Sequence, residues 1–404
     1  MQIQPIFAAL RRHRLAVLLI GMEIALACAV LCNACFLIAG RLQQIHIVSG
    51  VDEASLALIR MAGFADDAAV DLNARVVAGL RAIPGVQSVS VINAVPFSEH
   101  AITMGITLDP AKPGSGGVVH IYMGGQGSLE ALGVKLVAGR MPQQEDYQPL
   151  TNVLPHGAQV LVTRALAEHL WPGENPLGRE FLTGSDHFRV MGVLEHLIRP
   201  EAWGWGAGKE EWSVFAPVQP GKYLAGRYLL RADPAELNRV LRDARAAVVA
   251  IAPDAVLDTV NSRSVSDLRE TNFRQDRAMT GMLLGVIFAL LLVTAMGIVG
   301  LASFWVQQRR KQIGIRRAMG ATRGDILSYF QTENFLIVSG GIALGMAMAF
   351  ALNLALMKFY ELPRLPLFYL PIGALMLWLL GQLAVLGPAL RAAAVPPVVA
   401  TRSV

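Results

Sequence analysis

Four long apolar runs divide this chain of 404 residues and limit it to a membrane fold. The runs are residues 15–39, 278–306, 334–357 and 367–390. Each is long enough to cross a bilayer, because a spanning helix needs about 20 apolar residues. Over the whole chain 54% of the residues are hydrophobic and only 16% are charged, which is too apolar for an ordinary soluble protein. We therefore expect a multi-pass membrane protein with four transmembrane helices.

Clusters of basic residues predict the orientation of these spans. Residues 11–14 and 309–323 are rich in Lys and Arg, and cytoplasmic loops carry an excess of these residues. Four spans then place both termini in the cytoplasm. The predicted cytoplasmic parts are the N-terminal segment 1–14, the loop 307–333 and the tail 391–404. The net charge of +5 is concentrated beside apolar runs, so we expect no nucleic-acid partner.

The polar segment 40–277 is predicted to form a large domain across the membrane, on the same side as a short turn at residues 358–366. Its patterns repeat a strand–helix–strand unit. The first unit has strands at 54–61 and 86–94 around a helix at 66–83; the second has strands at 212–218, 228–231 and 255–260 and a helix at 234–251. This series indicates a split ferredoxin-like domain, interrupted by an insertion at about residues 100–205. The expected fold class is a membrane α-helical domain plus an α+β extracytoplasmic domain, in which a split ferredoxin-like (porter-type) subdomain carries an inserted mixed α/β subdomain.

The basic loop at residues 307–333 is predicted to be ordered. Gly320 is placed to end a helix, and Thr322 with Asp325 has the spacing of a capping box that begins the next helix. A helix, a glycine corner and a second helix leading into the membrane would form a lever for a cytoplasmic partner. From composition alone, a topogenic loop beneath anionic lipid is the alternative.

Several residues of the spans invite two interpretations. Cys28, Cys32 and Cys35 share one helix face, where they could form a metal or thiol site but more simply pack as small residues. Glu23 and Asn33 could form a functional relay, or could make hydrogen bonds between helices.

Two glycine pairs have the Gly-x-x-x-Gly spacing that allows helices to approach closely. They are Gly281 with Gly285 in the second run and Gly341 with Gly345 in the third. The spacing is common in glycine-rich membrane helices, so it is a weak signal of packing.

No catalytic motif is present in the sequence. A phosphate-binding Gly-x-x-x-x-Gly-Lys-Ser/Thr, a Gly-x-Ser-x-Gly and a His-Glu-x-x-His are all absent. Asp186-His187 and Glu195-His196 could meet across a hairpin and bind a metal, but histidines near carboxylates are common on surfaces. We therefore expect no catalytic residue, no metal and no cofactor in this chain.

Three tryptophans, Trp203, Trp205 and Trp212, lie in or beside a glycine-rich loop. They could contact a partner, lipid or an apolar cargo. Packing onto their own domain is the alternative.

The order of residues in the basic loop carries a family resemblance. The stretch IGIRRAMGATRGDI at residues 313–326 closely resembles the signature loop of the FtsX-like permease family, which includes the MacB-type and lipoprotein-release ABC permeases. LGVKLVAGR at 132–140, LVTRALAEHLWPGENPLGRE at 161–180 and FRVMGVLE at 188–195 look like the periplasmic core domain of the same family. Gln312 departs from the pattern, because the family usually has Glu there, and any salt bridge made by that Glu is in question here.

The resemblance implies a transporter permease subunit in the bacterial inner membrane, without enzymatic activity of its own. Its cytoplasmic loop would dock on an ABC ATPase subunit, which binds the ATP and Mg. The implied ATPase-coupling residues are Arg309, Arg310, Ile313, Gly314, Ile315, Arg316, Arg317, Ala318, Met319, Gly320, Ala321 and Arg323. In the MacB-type mechanism, called mechanotransmission, ATP hydrolysis drives a periplasmic conformational change that expels substrate outward.

The resemblance also implies partners and leaves other roles open. A second permease copy or a sibling permease would complete the assembly within membrane lipid, and a periplasmic adaptor and an outer-membrane channel are further possible partners. An FtsX-like regulator that activates a cell-wall hydrolase and an ATPase-coupled membrane sensor are the alternative functions. The sequence does not identify the substrate.

Overall fold

The computed structural model describes residues 14–99, 102–109, 111, 114–150, 152–184, 186–201, 208–360 and 364–396. Most of the predicted N-terminal segment, the end of the tail, and both Trp203 and Trp205 lie outside these residues. The chain forms two compact units, a helical unit and a polar unit that comprises residues 46–274.

The described residues contain ten α-helices and twelve strands. The helices are α1 Arg14–Ile45, α2 Ala69–Arg81, α3 Ser128–Leu132, α4 Arg164–Leu170, α5 Leu237–Ile251, α6 Val265–Asn272, α7 Arg274–Gln308, α8 Arg310–Ala318, α9 Arg323–Tyr360 and α10 Tyr369–Ala393. The strands are β1 Leu56–Ala62, β2 Val86–Val91, β3 Thr103–Ile106, β4 Gly117–Gly124, β5 Leu136–Gly139, β6 Gln148–Pro149, β7 Gln159–Thr163, β8 Glu180–Thr183, β9 Asp186–Leu194, β10 Ser213–Gln219, β11 Arg227–Ala232 and β12 Val256–Leu257.

The helical unit contains four helices that are long and apolar enough to cross a membrane, namely α1, α7, α9 and α10. Helices α1, α7 and α9 contain the first three predicted runs and extend beyond them, whereas α10 begins at Tyr369, two residues after the start of the fourth run, and ends three residues after it. Helix α1 packs against α9 and α10 through a core that includes Ile24, Leu31, Val338, Ile342 and Leu377. The prediction of four long apolar helices is confirmed.

Glycines bring α1 and α9 into close contact. A Cβ atom added at Gly341 would lie 2.8 Å from Ile24 Cβ, and one at Gly345 would lie 2.7 Å from the backbone oxygen of Ala25. No atom of the described residues lies within 4 Å of a Cβ added at Gly281 or Gly285. The Gly-x-x-x-Gly spacing of the third run is therefore a packing site within this chain, whereas that of the second run is not.

The unusual side chains of α1 have different roles. Cys28 and Cys32 are fully buried in the helical core, which agrees with packing as small residues. The Asn33 amide donates to the backbone oxygens of Ala29 and Ala349, so it joins α1 to α9. Glu23 makes no hydrogen bond through Oε1 within the described residues and lies against Gly297 of α7.

A four-stranded antiparallel sheet forms the first part of the polar unit. Its strand order is β12-β1-β11-β2. If these four strands alone are renumbered 1 to 4 in the order of the sequence, the sheet has the order 4-1-3-2. Helices α2 and α5 bury Val76 and Val240 in the same core as Ile59 and Leu230 of the sheet. This is the arrangement of a split β-α-β-β-α-β unit, and it confirms the ferredoxin-like prediction.

The inserted part forms a larger mixed sheet. Its order is β3-β4-β10-β7-β9-β5, with β6 paired to β10 and β8 paired to β9. Strand β10 pairs parallel with β4 and antiparallel with β7, so it belongs to this sheet and not to the second ferredoxin-like unit as expected. The inserted sheet thus extends to Gln219 instead of ending near residue 205. Strand pattern alone cannot assign β10, because a buried strand reads the same in either sheet.

The proposed histidine–carboxylate cluster does not form. Asp186-His187 begins β9 and Glu195-His196 follows its end, so about 30 Å of extended strand separates the pairs. His156 contacts Asp186, while His196 Nδ1 lies 2.8 Å from Glu211 Oε1. No group of metal-ligating side chains is found among the described residues.

Trp212 packs within its own domain. Its ring stacks on His169 with centroids 4.0 Å apart, and the side chain is largely buried. For this tryptophan the packing interpretation holds.

A buried histidine occupies the centre of the larger sheet. His120 on β4 is 0% exposed, and neither ring nitrogen has a hydrogen-bond partner among the described residues. Tyr122 contacts its ring edge-to-face, and buried Arg199 lies nearby. Burial, with the charge of Arg199 as a smaller cause, lowers the pKa of His120 from 6.5 to about 3.

We expect His120 to make the polar unit less stable in acid. The folded state holds the neutral ring, so its contribution is complete above pH 6.5 and is lost as the pH falls towards 3. Between pH 7 and pH 5 the free energy of unfolding should fall by about 2 kcal/mol. Urea unfolding followed by tryptophan fluorescence measures this loss. His120→Phe should remove most of it and exposed His187→Phe should not; equal pH dependence in all three proteins would contradict the prediction.

Candidate functional site

The predicted coupling residues form a short helix and a sharp corner, which we call the elbow (residues 309–323). Helix α8 ends at Ala318, and Gly320 follows with a φ of +100°. The amide of Ala321 donates to the Arg316 oxygen at 3.0 Å, and that of Gly320 donates to the Arg317 oxygen at 3.2 Å. These two bonds form a Schellman motif, which confirms that Gly320 ends the helix.

Helix α9 begins with the predicted capping box. The Asp325 amide donates to Thr322 Oγ1 at 3.2 Å, and the Thr322 amide donates to Asp325 Oδ2 at 2.9 Å. The backbone groups at the end of α8 and at the start of α9 therefore find hydrogen-bond partners within the corner, and the elbow is a defined turn between two helices.

The inner side of the elbow is anchored by apolar packing. Ile313 and Gly314 are buried there. The buried members of this cluster, which we call the elbow core, are Val306, Ile313, Ile326, Phe330, Ala389, Ala392, Ala393 and Val395. They come from α7, α8, α9 and the end of α10, so the elbow is packed against three of the four long helices.

Two arginines add polar anchors. Nη1 of Arg309 lies 3.0 Å and 2.8 Å from the two carboxylate oxygens of Glu333, which is only 1% exposed. Arg317 donates to the backbone oxygen of Ala393 in the last turn of α10, where carbonyls lack helical partners. Glu333 is not among the coupling residues predicted from the sequence. It could have been noticed as the one acidic residue between Asp325 and Glu361, close to six cations.

The outer side of the elbow is exposed and combines cations with large apolar side chains. Met319 is 76% exposed and Ile315 is 44% exposed. Of the predicted coupling residues, the exposed ones are Arg310, Ile315, Arg316, Ala318, Met319, Gly320 and Arg323, while Arg309, Arg317 and Ala321 are half-buried. Lys311 is also exposed, one turn before Ile315, and this i, i+4 spacing could have added it to the predicted set.

The elbow is strongly electropositive. It holds six cations and no acidic residue. Glu333 neutralises Arg309, and Asp325 serves the capping box. An exposed basic and apolar surface on a defined corner suits protein docking.

The elbow and the helices around it match a known family. Residues 284–397 match the family described as FtsX-like permease C-terminal. The chain carries an FtsX-like permease domain. The match begins within α7 and includes α8, α9 and α10, so it contains the whole elbow.

Curated proteins similar to this chain are named macrolide export ATP-binding/permease protein MacB. The protein of Nitrosomonas europaea is 29% identical over 281 residues, covering 67% of this chain and 40% of the relative. The protein of Rhodospirillum rubrum is 29% identical over 263 residues, which cover 62% of this chain and 39% of that relative. The chain thus spans about two fifths of the length of these relatives. Only 130 residues follow Arg274, so both alignments must also include part of the polar unit.

Two solved structures are similar to this chain at a low level. The periplasmic region of MacB from Actinobacillus actinomycetemcomitans is 15% identical, with a TM-score of 0.36, and the match covers 57% of this chain and 97% of that one. The extracellular domain of the ABC-type transporter YknZ from Gram-positive bacteria is 12% identical, with a TM-score of 0.33, and covers 50% and 98%.

Proposed function

We propose that this chain is the permease subunit of a MacB-type ABC transporter, and that it couples ATP hydrolysis on a separate ATPase subunit to a conformational change in its polar unit. The observation that carries the proposal is the two-sided elbow. Its inner side is fixed to the long helices, while its outer side presents Ile315, Met319 and several cations. A surface that is both anchored and exposed can receive a force and pass it on.

The anchors indicate the route of that force. The Arg309–Glu333 pair connects the elbow to α9, and the Arg317–Ala393 hydrogen bond connects it to α10. Both helices pack against α1. Since α1 and α7 continue directly into the two ends of the polar unit, motion of the helical unit would reach that domain without a polar pathway through the spans.

The remaining parts of the proposal follow from similarity to the MacB relatives. ATP and Mg belong to the ATPase subunit, and a second permease copy or a sibling permease completes the assembly. The elbow faces the cytoplasm of a bacterial inner membrane, and the polar unit faces the periplasm, where an adaptor and an outer-membrane channel would receive the substrate. The transport direction is export; the substrate class is not fixed by the residues of this chain.

Docking can be tested at the two exposed apolar side chains of the elbow. We expect Ile315→Asp with Met319→Asp to reduce co-purification of the ABC ATPase by at least about tenfold, because buried apolar anchors dominate interface energy. Val249→Asp is the control, since Val249 is a similarly exposed apolar residue on α5 of the polar unit. Equal capture of the ATPase by wild type and the double variant would remove the docking assignment.

Coupling can be tested separately at the corner. Gly320 has a φ of +100°, which proline cannot adopt and asparagine tolerates better. We expect Gly320→Pro to disconnect ATP hydrolysis from export, and Gly320→Asn to retain most of the coupling. The measurement is the export rate per ATP hydrolysed in vesicles. Normal coupling in the proline variant would show that the corner does not transmit force.

A further inference from the structure

The elbow also forms the wall of a small cationic cavity, which is open to the surface at Gln312 and Arg316. It has a volume of about 170 Å³ and lies between α8 and the first turns of α9. Its polar wall consists of Arg309, Gln312, Arg316 and Tyr329, and buried apolar side chains of the elbow core form the rest. No carboxylate lies on this wall within the described residues.

The two arginines of the wall are not equivalent. Arg309 is neutralised by Glu333, whose two oxygens accept from the same Nη1 atom. Arg316 forms no ion pair within the described residues. Instead its guanidinium carbon lies 4.9 Å from the centre of the Tyr329 ring. This cation–π contact holds the guanidinium beside the ring, and because arginine carries five N–H donors, donors remain for a bidentate acceptor.

Gln312 is the third polar side chain available on the wall, beside Arg316 and Tyr329, and it is uncharged. Its amide can donate without adding negative charge to the wall. The cavity therefore offers the guanidinium of Arg316 and the side chains of Gln312 and Tyr329 to one small anion. Phosphate diesters match this arrangement, because arginine binds phosphate oxygens in a planar, two-point geometry.

The position of the cavity favours a lipid as the source of that phosphate. The elbow directly joins two apolar helices, so it lies at the level of the headgroups on the side where basic residues accumulate. Basic pockets at this depth bind anionic headgroups. We propose that this cavity binds the phosphate of an anionic phospholipid, with Arg316 as the principal ligand and Gln312 and Tyr329 as its neighbours.

The proposal predicts a lipid preference that depends on the wall of the cavity. Native mass spectrometry of the purified full chain in an equal mixture of phosphatidylglycerol and phosphatidylcholine measures the ratio of the two lipids bound. We expect the wild type to prefer phosphatidylglycerol by about 5- to 10-fold, which is the effect of one well-placed cation near an anionic lipid. Arg316→Gln should reduce this preference to about twofold or less. Gln312→Glu should do the same, because it places a carboxylate in the cavity.

Two control variants change the same charges outside the cavity. Arg310→Gln removes an exposed cation of the elbow, and Gln307→Glu adds a carboxylate at an exposed site near it. Both should keep the lipid preference. Equal losses in Arg310→Gln and Arg316→Gln would show diffuse attraction to the basic surface and overturn the assignment. Melting curves of all four variants must match the wild type, which excludes loss of the fold as the cause.

Two further outcomes would identify a different ligand. Competition by millimolar inorganic phosphate would show that the cavity takes a soluble anion and would contradict the lipid assignment. Loss of ATPase capture in Arg316→Gln with an unchanged lipid ratio would show that the cavity receives an acidic side chain of the partner. Because the lipid ratio is measured on the chain alone, it can succeed even if ATPase docking at Ile315 and Met319 fails.

Discussion

Gly345→Leu is expected to disrupt the packing of α1 against α9 and to lower the stability of the helical unit by about 3 kcal/mol, the upper end of the usual cost of overpacking. An added Cβ at this position would overlap Cys28 Cβ and lie 2.7 Å from the backbone oxygen of Ala25. The backbone of α1 cannot move away without breaking its contacts along the whole helix. Small residues at such positions are what allow membrane helices to approach each other.

The chain contains its own reporter for this experiment. Cys28 and Cys32 are fully buried between the helices. Cys35 is only half-buried, so every protein compared carries Cys35→Ser. In that background a thiol-reactive dye labels Cys28 and Cys32 only when the helices separate. In Gly345→Leu we expect labelling at temperatures at which the wild type is unreactive, with a melting midpoint lowered by many degrees.

A matched glycine provides the control. Gly285→Leu makes the same substitution in α7, in the same sequence spacing, where no atom of the described residues lies within 4 Å of the added Cβ. Gly285→Leu should change the free energy of unfolding by no more than an ordinary surface substitution does, about 0.5 kcal/mol, and should therefore leave the melting midpoint nearly unchanged. If Gly345→Leu and Gly285→Leu lose similar stability, the close contact between α1 and α9 is not the reason that Gly345 is sensitive to substitution.

These glycine pairs show what sequence patterns can and cannot predict. The spacing of Gly281 with Gly285 is identical to that of Gly341 with Gly345, yet only the second pair contacts another helix among the described residues. A spacing shows that a helix has a small-residue face. It does not show which helix packs there, because that depends on tertiary contacts with residues hundreds of positions away.

The same limit applies to the elbow. Its turn could be predicted from Gly320, Thr322 and Asp325, because a helix end and a capping box are local structures with strong sequence signals. Its anchors could not, because Arg309 pairs with Glu333 and Arg317 bonds to Ala393, 24 and 76 residues away. Local chemistry therefore predicts the shape of the elbow, and long-range packing decides how it is held.

Strand β10 illustrates the same point in the polar unit. Its position in the sequence, just before β11, suggested that it belongs to the second ferredoxin-like unit. Its hydrogen bonds with β4 and β7 place it in the inserted sheet. The ferredoxin-like order of the other strands was predictable because helices α2 and α5 separate the strands in the pattern that this topology requires.

Removal of one partner of the Arg309–Glu333 pair is the second change for which we expect a large effect. Glu333 is 1% exposed and accepts two hydrogen bonds from Arg309, whose side chain is 12% exposed. Glu333→Leu would leave the guanidinium without its counter-charge. Breaking a buried ion pair in this way costs about 3 to 5 kcal/mol.

The double variant Arg309→Met with Glu333→Leu should recover most of that loss. Two apolar side chains of similar volume remove the unpaired charge, and such replacements of a buried pair are often neutral. The thiol-dye melting curve measures both effects in the helical unit. Arg310→Met is the control, because Arg310 is adjacent in sequence and exposed, and it should leave the midpoint nearly unchanged. If the double variant is as unstable as Glu333→Leu, the loss comes from packing and not from an unpaired charge.

The double variant also separates stability from coupling. It should fold nearly as well as the wild type, yet it lacks the polar connection between the elbow and α9. If the pair transmits force, export per ATP hydrolysed should fall at least about threefold while capture of the ATPase at Ile315 and Met319 is retained. A threefold loss corresponds to about 0.7 kcal/mol, which is less than the contribution of one hydrogen bond to a charged group, about 1.5 to 3 kcal/mol, and is therefore a lower bound. Full coupling in a stable double variant would mean that the elbow core alone connects the docking surface to the long helices.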